Sequence, residues 1–204
     1  SFYNDQYQNS VIRLDQSSVI PKNIEFRKVK LNGFFLNNKE IQVTGKVYEG
    51  NAGFHVITPF EMSNGKIILV NRGWVSENYR MPETRKFTLL NEEIMIEGIA
   101  RLPQKKGYFV PENEPKNRFW FTIKPNEIGK FLELGKNTFI KNFYIDILRD
   151  SEDIKLPIGI KPGINLRNQH LSYAMTWFSL AVVLIIIYIS YHYSEGRLKV
   201  KRLK

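Results

Sequence analysis

The sequence predicts a mostly β (α+β) domain, an antiparallel barrel or sandwich with one short helix, anchored by a C-terminal transmembrane helix. Two observations carry this expectation. Short β-branched and aromatic runs recur through most of the chain with turn residues between them. Near the C-terminus, YAMTWFSLAVVLIIIYISY at 173–191 contains no charged side chain. At about 1.5 Å per residue, that stretch matches a hydrocarbon core of roughly 30 Å.

The 204 residues, 43% of them hydrophobic, suffice for one domain with a real core plus one membrane segment, and not for two full domains. Because the chain opens on Ser1 rather than Met, we expect that something N-terminal has been removed: a signal peptide, a tag or a first membrane helix. Residues 1–20 show no sustained period and read as an arm or linker. From Pro21 to 155 a β domain is expected. Its strand runs are IEFRKVKL at 24–31, EIQVTGKVY at 40–48, GFHVITPFEM at 53–62, KIILVNRGWV at 66–75, EIMIEGIARL at 93–102, RFWFTIK at 118–124 and NFYIDILR at 142–149. Ser63-Asn64-Gly65 marks a hairpin, since Asn-Gly accepts the positive φ of tight turns. Pro125 to Leu134 places Ile128, Phe131, Leu132 and Leu134 near helical spacing behind a leading proline, which predicts a short helix. The charged stretch from Lys105 to Asn117 reads as a long loop.

Residues 156–168, with two prolines and two glycines between 157 and 163, read as a linker, and 169–193 as the transmembrane helix. A buried core helix is the competing reading, but a small domain rarely encloses a helix that is apolar on every side. Tyr173, Trp177 and Phe178 at one end, and Tyr188, Tyr191 and Tyr193 at the other, suit rings that settle among lipid headgroups. The tail 194–204 holds Arg197, Lys199, Lys201, Arg202 and Lys204, a denser cluster than Lys155, Lys161 and Arg167 before the span. This asymmetry puts the C-terminus in the cytoplasm or the mitochondrial matrix, and the β domain on the opposite face.

The net charge of +10 favours anionic partners without choosing among nucleic acid, lipid and acidic protein. The basic tail lacks interleaved aromatics and lies beside a span, so a lipid bilayer, and no nucleic acid, is the expected partner. The absence of cysteine excludes disulfides, thiolate zinc sites and dithiol redox motifs. There is no nucleophile elbow, Walker loop, dinucleotide fingerprint or H-E-x-x-H, and a non-enzymatic role is expected.

Three histidines remain. His55 sits in a strand, where it either faces water or satisfies a core hydrogen bond. His192 lies at the far end of the span, an ordinary interfacial position. His170 shares a helical face with Tyr173, Ala174 and Trp177 at i+3, i+4 and i+7. An imidazole there could coordinate a haem iron, with Ala174 leaving room for a flat ring, Tyr173 and Trp177 packing on it, and Arg167 pairing with a propionate. Spacing alone leaves the plain interfacial histidine equally open.

GFHVITPF, followed by ILVNRGWV and PETR, resembles the Surfeit locus family of cytochrome c oxidase assembly factors, which carries G-(Y/F)-H-V-x-T-P and V-N-R-G-(W/F)-V stretches. LRNQHLSYAMTWF is similar to the family's R-N-x-H-L-x-Y-x-x-T-W-(F/Y) signature at the start of its last membrane helix. The resemblance runs from about Phe26 to Ser190, and the family's first membrane helix has no match in this chain. It implies a domain in the periplasm or intermembrane space and a place in the bacterial or mitochondrial inner membrane. It also implies help in building the oxidase core: binding haem a and aiding its delivery to, or stabilisation in, the largest oxidase subunit, alongside other assembly or haem a synthesis proteins. The family's haem-ligand histidine corresponds to His170. A scaffold that holds oxidase subunits without touching haem is the alternative. Arg72, Gly73 and Trp74 lie in the second motif, where we expect Gly73 to permit a bulge, Trp74 to fill the core and Arg72 to pair with an acid, or the three to dock a partner.

Overall fold

The structure is a computed structural model describing residues 9–17, 21–149, 156–161 and 170–197, with His170 and Ser172 described by backbone alone. It divides into two compact units, one up to Pro162 and one from Gly163.

The first unit is built from seven strands: β1 (Ile12–Arg13), β2 (Lys28–Phe35), β3 (Ile41–Tyr48), β4 (Asn51–Met62), β5 (Ile67–Ser76), β6 (Ile94–Arg101) and β7 (Phe139–Ile147). Their order is β1-β2-β6-β7-β5-β4-β3, and a further pairing of β2 with β4 closes β2, β6, β7, β5 and β4 into a five-stranded barrel. Within the barrel β2, β4 and β5 are successive neighbours, with β3 inserted between β2 and β4 in the chain, and β6 returns beside β2 in the order of a Greek key. β7 then fills the remaining gap. Closure removes the sheet edges that would otherwise expose unpaired backbone.

Gly33 makes the closure possible. β2 pairs with β6 over residues 28–33 and with β4 over residues 33–35, so Gly33 is the corner where it changes neighbours. A Cβ there would lie 2.0 Å from the Glu61 carbonyl oxygen, a contact no side chain tolerates. The hairpin expected at Ser63-Asn64-Gly65 joins β4 to β5, with Gly65 at φ +77° and the Met62 amide donating to the Lys66 carbonyl.

Two hydrophobic clusters divide by strand parity. Val29, Leu31, Phe60, Met62, Ile68, Val70, Ile96, Phe143 and Ile145 fill the barrel from all five strands. Neighbouring positions Ile57, Leu69 and Tyr144 point outward, where Val43, Trp120, Ile123 and Ile128 cover them. β5 is therefore buried on both faces, which is why its sequence reads as a continuous apolar run rather than an alternation.

The structure departs from these expectations in detail. The sheet is not antiparallel throughout: β5–β7 and β1–β2 pair in parallel. The 118–124 run makes only isolated bridges rather than a strand, and side chains satisfy part of its backbone. The Asn113 Oδ1 accepts from the amides of Phe121 (2.8 Å) and Thr122 (3.0 Å), and the Gln104 Oε1 accepts from Ile123 (3.0 Å). These amide side chains stand where a strand partner would. Finally, part of the presumed arm is seated on the barrel through β1 and Leu14, which is 3% exposed. Of the expected linker, 156–161 also binds the barrel: Ile158 exchanges backbone hydrogen bonds with Trp74 at 2.8 and 2.9 Å.

The predicted short helix is α1 (Pro125–Phe131), with proline in its first turn and Ile128 buried. The second unit is α2 (His170–Ser194), whose segment Tyr173–Ser194 is long and apolar enough to cross a membrane. Gly196, at φ +67°, ends it in the left-handed turn that glycine accepts, the Arg197 amide donating to the His192 carbonyl at 3.0 Å.

Candidate functional site

The residues expected to hold haem begin α2. His170 is its first residue; at about 100° per residue, Tyr173, Ala174 and Trp177 fall within a sector of roughly 100° that includes it. Tyr173 and Trp177 are each 67% exposed, so within this unit neither ring is spent on packing. Ala174 between them adds almost no bulk. The faces of these two rings are open with a small residue between them, while the side chain of His170 lies outside the described residues. Arg167 lies outside the described residues. His192, at the other end, stacks edge-on against Tyr188 with centroids 4.3 Å apart.

The two strand motifs become neighbours in the barrel. GFHVITPF forms most of β4 and ILVNRGWV most of β5, pairing His55 with Trp74 and Val56 with Gly73. The register shifts before Ile57 meets Asn71, leaving Arg72 as the extra residue of a bulge. The bulge re-aims the side chains on either side of it. Gly73 adopts φ +121°, and a Cβ on it would lie 2.1 Å from the Ile158 carbonyl oxygen, so this glycine is what lets 156–161 approach. Trp74 is 8% exposed and packs on Tyr48 with centroids 5.4 Å apart.

Sequence reasoning missed the polar cluster beside this bulge. The Asn71 Nδ2 donates to the Asp146 Oδ1 at 2.8 Å and lies 3.2 Å from the His55 Nδ1. Its Oδ1 accepts from the Gly73 amide at 3.1 Å. The carboxylate fixes which way the amide points, and the amide in turn presents a donor to His55, so the Nδ1 of His55 is an acceptor and its ring is neutral. Burial pushes the His55 imidazole down to about 4, helped by the nearby Lys46 cation. Burial pushes Asp146 up to about 6, against the opposing pull of Asn71, Arg101 and Lys46. No sequence signal joins three residues separated by 16 and 75 positions. His55 thus takes the second of its two readings, a hydrogen-bonded histidine inside the sheet.

The expectation that Arg72 pairs with an acid is corrected. Its guanidinium donates to the Thr88 carbonyl and lies 4.5 Å above the Phe35 ring. Burial lowers its pKa to about 10, with Glu40 opposing and Arg85 adding to the shift. The acid belongs to Arg85, the arginine of PETR: Arg85 and Glu40 form an ion pair with side chains 0% and 1% exposed. Arg85 also donates to the Tyr79 carbonyl at 2.8 Å and to the Thr88 hydroxyl at 3.3 Å. The motif residues on the barrel therefore do structural work: they pin the 3-10 turns of 77–88 and the 156–161 segment to β5. Among the described residues, no group of three acids and histidines is placed to hold a metal ion.

A family profile described as the SURF1 family matches residues 3–182, from the arm through the barrel into α2. A SURF1-like protein of Rickettsia felis is 36% identical over 179 residues, covering 84% of this chain and 76% of that protein. Surfeit locus protein 1 of Mus musculus is 34% identical over 174 residues, covering 78% of this chain and 55% of that protein. A SURF1-like protein of Caenorhabditis elegans is 32% identical over 186 residues, 81% of this chain and 56% of its own length. With a profile match across the barrel and half of the apolar helix, and relatives from bacteria to mammals, this chain belongs to the SURF1 family.

Proposed function

We propose that this chain is a non-enzymatic assembly factor that binds haem a on the first turns of α2 and aids its delivery to, or stabilisation in, the largest subunit of cytochrome c oxidase. Membership of the SURF1 family implies involvement in cytochrome c oxidase assembly; the haem, the delivery role and the named partners are the proposal. The observation that carries it is the helical face of His170, Tyr173, Ala174 and Trp177, with its two rings exposed at the start of an apolar helix. Haem a, when bound, would bring the iron centre and carboxylate-bearing macrocycle that the oxidase core requires. His170 would offer an unprotonated ring nitrogen, and Tyr173 and Trp177 would cover the ring and exclude water. Ala174 would keep the approach open. Arg167, near the same end of the helix in sequence, would meet a propionate.

The test is His170→Ala in protein purified from a host that makes haem a. Haem affinity should fall on the order of tenfold or more, with altered ligation bands, because the axial bond is lost while the apolar face is kept. His55→Ala and His192→Ala, off that face, should leave the spectrum unchanged. An unchanged affinity and spectrum in His170→Ala excludes ligation by this residue. A wild-type protein that never carries haem leaves the scaffold of oxidase subunits as the better reading.

Orientation is a separate expectation, placing the barrel in the periplasm or intermembrane space of an inner membrane. It rests on the basic tail after Tyr191. A reporter active only outside the cytoplasm, fused after Lys204 in a bacterial host, should be silent. Activity would reverse the assigned orientation.

A further inference from the structure

Tyr108 and Phe109 are each 93% exposed, the most exposed large hydrophobic side chains among the described residues. They stand edge to face, ring centroids 5.0 Å apart, at the tip of the long charged loop. The tip is held as a turn by the Val110 amide donating to the Gly107 carbonyl at 3.1 Å. Its base is fixed at two points. Gln104 bridges to Ile123 and to the Tyr144 hydroxyl, and Glu112 grips Lys106 at 2.8 Å and Lys124 at 3.4 Å. A firmly based turn that lifts two aromatic rings into water is an unusual use of apolar surface. It is not explained by the barrel's core, by the motif cluster or by the haem face.

We propose that the turn 105–110 rests in the interface of the bilayer that α2 spans, with Tyr108 and Phe109 among the headgroups and Lys105 on anionic lipid phosphate. Three features select lipid over a protein partner. The tip is convex, and a bilayer accepts a convex apolar tip without matching its shape. Tyrosine beside lysine is the pairing that settles at a membrane surface, the ring in the apolar margin and the ammonium in the phosphate layer. Between residues 105 and 118 four cations face two acids, a local excess that favours anionic headgroups. The turn and the span also belong to one chain, so the turn meets membrane at a tethered concentration. A weak, two-ring contact is then enough.

The proposal rests on α2 being a membrane span, which recovery of the full chain in lipid nanodiscs tests by itself. The chain has no cysteine, so Val110→Cys gives a unique site for an environment-sensitive fluorophore beside both rings. In nanodiscs of phosphatidylcholine with phosphatidylglycerol, emission should shift to the blue, be quenched by headgroup spin-labelled lipid and be protected from aqueous iodide. Tyr108→Ser with Phe109→Ser should remove the quenching. Lys105→Glu should lower the ratio of docked to undocked turns on the order of tenfold, and less in purely zwitterionic discs. The side chains of Lys105, Tyr108 and Phe109 are at the surface, so the barrel's thermal midpoint serves as a folding control. A label that stays open to iodide and unquenched by lipid overturns the proposal and leaves the tip for a protein partner. Lipid quenching that survives loss of both rings overturns it as well.

Discussion

Replacing Arg85 with Met should destabilise the barrel by about 3–5 kcal/mol, the usual penalty for breaking a buried ion pair by removing one partner. The size follows from what is left behind. Glu40 is 1% exposed at its side chain, and without Arg85 its nearest support is Gln42, donating to Oε1 at 2.9 Å, while Oε2 has no hydrogen-bond partner. Arg85 also closes the turns of 77–88 through Tyr79 and Thr88, so those turns should loosen. The double variant Arg85→Met with Glu40→Leu removes both charges. It should be clearly more stable than Arg85→Met alone, because the stranded carboxylate is the larger part of the loss. Denaturant unfolding followed by tryptophan emission reads both, as Trp74 and Trp120 lie in the barrel. A loss under about 1 kcal/mol in the single variant, or a double variant no better than the single, would show that the pair is not what anchors this segment.

Arg85 also shows where the sequence was legible and where it was not. PETR could be recognised as a motif, but the role of its arginine could not be read, because its partner, Glu40, lies 45 residues earlier. The strands were legible because side-chain alternation is local, and six of the seven predicted runs overlap β2 to β7. The seventh, 118–124, carries the same alternation. It fails as a strand because Asn113 and Gln104 supply the hydrogen bonds locally, and an amide side chain nine residues away leaves no periodic trace. Barrel closure was half visible. The role of Gly33 could not be read from its neighbours in sequence, because it depends on Glu61, which passes too close for a Cβ. The parallel β5–β7 pair had a signal that could have been used: ILV at 68–70 is apolar without alternation, the mark of a strand covered on both faces. The C-terminal helix was legible, since its apolar run is continuous in sequence.

The cluster of His55, Asn71 and Asp146 was the least legible feature, and its effect on stability has a definite sign. Asp146 is raised from 3.8 to about 6 in the folded protein. The stability linked to it is fully present below pH 3.8, where both states are protonated, and is lost as pH rises through 6. His55 is lowered from 6.5 to about 4. Its contribution is present above pH 6.5 and is lost as pH falls through 4. Between pH 4 and 6 the two act in opposite directions with similar size, on the order of 2–3 kcal/mol each. Their shifts come mainly from burial rather than from each other, so removing one should leave most of the other in place. In His55→Gln, where the amide oxygen can still accept from Asn71, stability should rise relative to wild type as pH falls from 6.5 to 4. In Asp146→Asn it should fall over the same range. Other carboxylates titrate alike in all three proteins, so the difference between denaturant midpoints isolates the pair. Parallel pH profiles for wild type and both variants would refute the opposed titration and with it the neutral, accepting His55 on which the cluster is built.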